Sequence, residues 1–449
     1  MDGLRSAFDY PLFQAIFNRR SRRIAKGIQA VCAGSLTYTS DQTPQPLSPL
    51  EEAVLIAATG ITGLTVPDRP FQDDSHQNIL GTPNLNMIGR AAGSTDNAQG
   101  THFFLINDEG TYFLKRLAEP ASFPLTEADL LRRAEQSKRL IHKGRPDFPR
   151  DFPYYLDSNR FLSNVAGSTI LFPVVDMTRQ YINALMYLLT EKAGNRPYFL
   201  DDRNFYLAAG VKCWMKSGFL NKNLRLPLGV LGPMRTQIEA DLLLQNLMLV
   251  IQAMGLGGWI HACMGPPYLL GNPYETTEDL RKQGLGFEWA TPPFRLLDFF
   301  RWGTFLPKVR AHPVGLKVGD EYLIQGLCAP YYADMADAVD VLVAQKFNKA
   351  TGIYEDRAYF QNIFKGENGD RYLKEVPHYD DKVIECVKDV CTYIHETHGR
   401  FPAHVDAIYV PGVWIQAHHL DLKYYDTLFK NGYTQTQAEH QQLWHGCPS

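Results

Sequence analysis

A globular chain that mixes helices with strands is what three stretches of this sequence predict. Residues 101–107 and 111–115 are rich in aromatic and β-branched side chains and are joined by Asp108-Glu109-Gly110. They read as a β-hairpin whose glycine supplies the positive φ of the turn. Residues 236–255 read as one long helix, because Thr236 and Glu239 match a capping box, 242–254 is almost wholly apolar, and Gly255 stops the run. Residues 322–327 read as a strand, followed after Pro330 by a helix over 334–346. The 449 residues, 45% hydrophobic and 21% charged, suffice for a sizeable core in two or three domains or one elaborated domain.

From the start of the chain, residues 10–17 place Leu12, Phe13, Ile16 and Phe17 on one helical face and run into Asn18-Arg19-Arg20-Ser21-Arg22-Arg23. After a polar stretch at 40–45, Ser48 suits an N-cap, Pro49 the first helical position and Glu51 a capping box, and Gly60 ends that helix. Residues 61–100, rich in Pro, Gly, Asn and Asp, read as a long functional loop. Between about 120 and 200 a charged helix over 127–143 and a Pro- and aromatic-rich stretch over 146–155 read as an insertion that packs over another part of the molecule. Residues 347–449 read as an appended α-rich region. A helix as apolar as 242–254 belongs in a core or a dimer interface, and Asp241, Gln245, Asn246 and Gln252 exclude it as a membrane span.

Forty-five basic against 48 acidic side chains give a formal charge of −3. General attraction to nucleic acid or anionic lipid is thereby excluded, and any anion site must be local. Seven cysteines without a C-x-x-C pair argue against a disulfide framework or a thiolate zinc site and point to a reducing cytoplasmic setting. The first fifteen residues carry Asp2 and Asp9 and no continuous apolar run, so no secretory leader is expected.

Two features can carry chemistry. Arg19, Arg20, Ser21, Arg22, Arg23 and Lys26 offer bidentate guanidinium donors and a hydroxyl near a helix end, which suits one phosphate group on a small ligand. A solvated basic patch or a nuclear-type signal has the same composition. Met254-Gly255-Leu256-Gly257-Gly258-Trp259-Ile260-His261 follows the long helix, and its glycines let backbone approach a flat ligand closely. A helix cap and a tight turn into a strand would read the same way.

Taken in this order and separation, with the Pro-Leu-Ser-Pro-Leu-Glu-Glu helix between them, these motifs resemble the FMN-dependent nitroreductase-like family. The likeness is closer to its longer, oxidase- or dehydrogenase-type branches, and covers residues 10–60, 85–115 and 205–345. It implies an α+β fold, an antiparallel-rich sheet packed with helices, with a flavin-binding domain over 1–346, an insertion at 120–200 and an α-rich extension over 347–449. It implies a homodimer that builds its flavin site between subunits. Arg20, Ser21 and Arg23, with Arg19 nearby, would grip the FMN phosphate, and Gly257, Gly258, Trp259 and His261 would lie near the flavin ring. Lys308 and Arg310 are candidate late basic residues for the phosphate. Where the family often carries an Asn-x-Gln-Pro-Trp-like stretch, this chain reads Ile61-Thr62-Gly63-Leu64-Thr65-Val66-Pro67. The activity implied is hydride transfer between FMN and a small organic substrate, reduced by NAD(P)H or by the substrate itself. No protein base is obligatory for that chemistry. No G-x-G-x-x-G is present, which suits a flavoenzyme that pyridine nucleotide visits without a Rossmann domain.

Seven of the thirteen histidines fall in the last 55 residues: His395, His398, His404, His418, His419, His440 and His445. His395 and His398 share a helical face, whereas the adjacent His418 and His419 must point apart. Imidazoles with nearby carboxylates could hold zinc or iron, or could simply bond the tyrosines of this region. A flavin-free or metal-binding chain acting as a partner subunit is therefore the alternative to an enzyme. Cys263, Trp414, Tyr424 and Tyr425 read as core packing.

Overall fold

The computed structural model describes residues 2–446 except 30, 32–33, 63–64, 70, 73–78, 84–85, 95–96, 122, 191–195, 232 and 292–310. Its helices include α1 (Asp2–Phe8), α2 (Leu12–Asn18), α3 (Pro49–Ala58), α4 (Glu127–Ser137), α5 (Thr178–Thr190), α6 (Pro233–Met254), α7 (Met335–Phe347), α8 (Asp381–His398), α9 (Leu422–Leu428) and α10 (Gln435–His445). The strands β1 (Thr101–Ile106), β2 (Gly110–Leu114), β3 (Lys138–Lys143), β4 (Thr169–Asp176), β5 (Gly257–His261), β6 (Ile408–Tyr409) and β7 (Trp414–His418) form a seven-stranded sheet. Its order is β5-β7-β4-β1-β2-β3, with β6 also on β4, and every pair is antiparallel. The architecture is α+β.

Side chains alternate across a strand, and here both faces are covered. Phe103, Leu105, Leu171, Ile415 and Ala417 meet Leu243, Leu244, Leu247 and Ile251 of α6 and Val54 and Leu55 of α3. Phe104, Ile106, Ile170, Phe172 and Trp414 turn the other way onto Phe148, Tyr155, Cys263 and Phe287. The Pro- and aromatic-rich stretch thus covers the second face of the sheet. A separate core joins α5, α7 and α8 through Ile182, Leu185, Val339, Leu342, Val387 and Ile394. Beside it lies a small sheet in which Pro197–Asp201 pairs parallel to Asn221–Pro227 and antiparallel to Leu207–Ala208.

The capping box of α3 forms as read: the Ser48 hydroxyl accepts from Glu51 N at 3.3 Å and Glu51 Oε2 accepts from Ser48 N at 2.6 Å. Other expectations are corrected. Gly110 opens β2 without a positive φ; a Cβ there would stand 2.9 Å from both Leu140 and Tyr112, and the turn is held by Asn107 Oδ1, which accepts from Glu109 N and Gly110 N. The charged helix ends at Ser137, and the rest of its span is β3. Because α6 begins at Pro233, Glu239 lies too deep to cap it, and its carboxylate accepts from Gln99 N (2.6 Å) and Gly100 N (3.0 Å), fastening the end of the long loop. The span 120–200 contains β4, the fully buried central strand. The span 347–449 contributes β7, inserted between β5 and β4, so this region is woven into the sheet and not appended to it. Among the described residues, no helix is long and apolar enough to cross a membrane.

Candidate functional site

Strand β5 is an edge strand, and an edge leaves backbone groups that need partners. The arginine run supplies them. Arg22 N donates to Gly258 O at 3.1 Å, Ala25 bridges to Leu420, and Lys26 N donates to His419 O at 2.9 Å. The two motifs singled out in the sequence are thereby laid side by side, and the Arg23 guanidinium sits 5.4 Å over the Trp259 ring.

Beside this junction opens a cavity of about 510 Å³ lined by Arg20, Ser21, Arg22, Arg23, Ile24 and Leu162, and from the far end of the chain by Tyr424, Tyr425, Phe429, Lys430 and Asn431. No described carboxylate lines it. The Tyr425 hydroxyl accepts from Arg23 N (3.0 Å) and Ile24 N (3.3 Å), contacts that span about 400 residues of sequence. Arg22 Nε donates to Gly432 O, and Arg20 caps α2 by donating to Phe17 O (2.9 Å) and Arg19 O (2.7 Å). Guanidinium and ammonium groups converging without a carboxylate can hold a phosphate-bearing group. Arg19, the residue that ends α2, does not line the cavity.

Gly257 and Gly258 are explained by protein packing. A Cβ on Gly257 would lie 2.4 Å from Leu420 and 2.8 Å from His418 Nε2, and one on Gly258 would lie 2.9 Å from Ile251. The close approach that the glycines permit is between β5, β7 and α6, a correction to the reading of bare backbone offered to a ligand. Trp259 and His261 share one face of β5, their rings stacked at 3.6 Å and 11°. The buried Trp259 Nε1 and His261 Nε2 have no hydrogen-bond partner among the described residues. Burial lowers His261 to a pKa of about 4, with Arg23 pushing the same way against a bond to Trp259 O, so the ring is neutral at pH 7. Cys263 is buried, its thiol pushed up to about 12 by desolvation, and it acts as packing against Trp414.

The C-terminal histidines gather, but not the pair that shared a helical face. His398 Nε2 lies 2.7 Å from Asp201 Oδ2, which also accepts from Tyr393 OH at 3.1 Å. His418 and His419 diverge as expected: His418 lies opposite Gly257 in the sheet, and His419 turns toward Glu51. His440 Nε2 lies 2.9 Å and His445 Nε2 3.3 Å from Glu51 Oε1. Burial alone would raise the Glu51 pKa, yet the closeness of His440 and His445 and the field of His419 hold it well below the usual carboxylate range.

Lys308 and Arg310 lie outside the described residues, as do Gly63 and Leu64 of the divergent loop. Sequence reasoning missed Lys430, Asn431 and the second role of Glu51, because each acts on residues hundreds of positions away and no local pattern marks it. No family model matches the chain, and no curated protein matches it.

Proposed function

We propose that the chain is an FMN-dependent oxidoreductase of nitroreductase-like fold, transferring a hydride between the flavin and a small organic substrate, with NAD(P)H as reductant. One observation carries this reading: the arginine run, laid beside the strand opened by Gly257, lines a cavity that is basic, free of described carboxylates and large enough for a nucleotide-sized ligand, although Gly257, Gly258, Trp259 and His261 do not themselves line it. In it Arg20, Ser21, Arg22, Arg23 and Lys430 would hold the phosphate, and Ile24, Leu162 and Phe429 would give apolar walls. The unpartnered Trp259 Nε1 and His261 Nε2 nearby suit polar edges of a ring system. When bound, FMN supplies hydride transfer at its ring. The chain's own part is to orient the ring, exclude water and keep His261 neutral, its free Nε2 an acceptor because Nδ1 donates to Trp259 O.

The reading extends to a homodimer. Leu12, Phe13, Ile16 and Phe17 of α2 are exposed by between 43% and 71%, immediately before the basic run, and a second copy covering them would close the site.

The test is the visible spectrum of the purified protein before and after incubation with FMN, alongside an Arg20→Ala/Arg23→Ala variant. Flavin absorbance that is retained by the native chain and lost in the variant supports the assignment. A colourless protein indifferent to FMN overturns it and leaves a binding or partner role.

A further inference from the structure

Four side chains from distant parts of the sequence converge on a cluster that shares no residue with the basic cavity. Glu51 comes from the first turn of α3, His419 from the residue after β7, and His440 and His445 from α10. One donor atom from each lies within 4.8 Å of all the others. Glu51, His419 and His440 are buried, and His445 closes the rim.

The hydrogen bonds around the cluster decide which ring nitrogens face inward. A carbonyl can only accept, so the His440 nitrogen 2.8 Å from Met254 O is the protonated one, Nδ1, and Nε2 points inward with a lone pair. By the same logic His419 Nε2 donates to Pro46 O at 3.2 Å, leaving the lone pair on Nδ1. These two lone-pair nitrogens stand 3.1 Å apart, and His440 Nε2 is 2.9 Å from the carboxylate oxygen Glu51 Oε1. Gln441 Nε2, 3.2 Å from His419 Nδ1, is a neutral donor that reaches the group. Acceptors facing acceptors in a buried space repel unless a cation lies among them.

We propose that Glu51, His419, His440 and His445 form a closed binding site for one divalent transition-metal ion, zinc by its donor set. Tetrahedral ligands at about 2.0–2.1 Å from zinc stand about 3.3–3.5 Å from one another. The separations of 2.9, 3.1 and 3.3 Å bracket that edge from below, so small outward shifts admit the ion. Three imidazoles and a carboxylate suit zinc or a neighbouring first-row ion, and the absence of thiolate disfavours copper(I) and iron–sulfur chemistry. Backbone carbonyls receiving the outer N–H groups of His419 and His440 are the orienting partners that metal-bound histidines use. Four protein donors leave no open position, which makes the site structural: it pins α10 to the start of α3 and to the strand end that carries His418. It stands independently of the flavin reading, since it shares no residue with the basic cavity.

The experiment uses the full chain with any affinity tag removed. Elemental analysis of the purified protein, then chelator stripping and titration of the stripped protein with zinc and with cobalt(II), reads occupancy directly. Expected are about one metal per chain, cobalt bands of tetrahedral intensity, and a loss of about tenfold or more in affinity for His440→Ala and for His445→Gln. The rim variant His445→Gln perturbs the core least and keeps the test informative should His440→Ala misfold. A natively folded wild-type chain, by circular dichroism, that holds no metal and takes up neither ion overturns the proposal.

Discussion

The basic cavity and the glutamate–histidine cluster share no residue and are built on opposite plans. At the cavity, Arg20 and Arg23 are exposed, Lys430 joins them, and no described carboxylate offsets them. At the cluster, a fully buried carboxylate is met by three imidazoles, and the proposed cation would compensate its charge on the spot. Uncompensated charge facing solvent attracts a ligand of opposite sign, whereas compensated buried charge holds protein elements together. The comparison separates recognition from construction within one sheet edge.

Breaking the strand that serves both regions has the largest effect. Trp414 is fully buried on β7, and Trp414→Ala leaves a cavity costing about 3–5 kcal/mol. Urea unfolding checks this, and FMN and metal binding should fall together; loss of one alone would mean that the strand is not their common support.

Acid comes next. His261 and the half-buried His102 are both held neutral, His261 at about 4 and His102 well below its ordinary value. Burial leads in each case, with Arg23 and His418 near His261, and Arg116, Arg90 and Arg179 around His102. The folded state therefore binds fewer protons than the unfolded one below about pH 6.5, so stability is full above that pH and falls as the pH drops toward 4. For His261 the loss is on the order of 3 kcal/mol, read as a lower urea midpoint at pH 4.5 than at pH 7. A midpoint unchanged across that range would show that both rings are solvated.

Arg23→Ala should weaken FMN by about 1.5–3 kcal/mol and leave metal content unchanged. Raising salt toward 1 M should weaken FMN in the native chain as well, because exposed charges are screened and buried ones are not. Equal salt sensitivity at both sites would erase the contrast between them. The smallest expected change is Thr434→Ala, which removes the capping box of α10 and costs about 1 kcal/mol. It should loosen metal retention by His440 and His445 while flavin titration stays as in the native chain.

What could be read from the sequence was local. The Ser48 capping box, the stop of α6 before Gly255, the hairpin of β1 and β2, and the divergence of His418 from His419 all follow from side-chain spacing within a few residues of backbone. The arginine run and the strand after Gly255 stood out by composition, but nothing local said that Arg22 would donate to Gly258 O. The readings that failed were those that required knowing a neighbour in space. Gly110 was read as a turn residue because Leu140 could not be placed beside it, and 347–449 was read as an appendage because β7 is only five residues long.

By itself, then, the sequence determined the mixed class, the helix ends and the basic, locally phosphate-suited run. Tertiary structure alone decided that Lys430 lines the same cavity as Arg20, that β7 divides β5 from β4, and that Glu51 meets His440 and His445. The reason is physical. Caps, turns and amphipathic spacing act through bonds a few residues apart, whereas strand order and side-chain convergence over hundreds of residues are settled only by which surfaces bury one another.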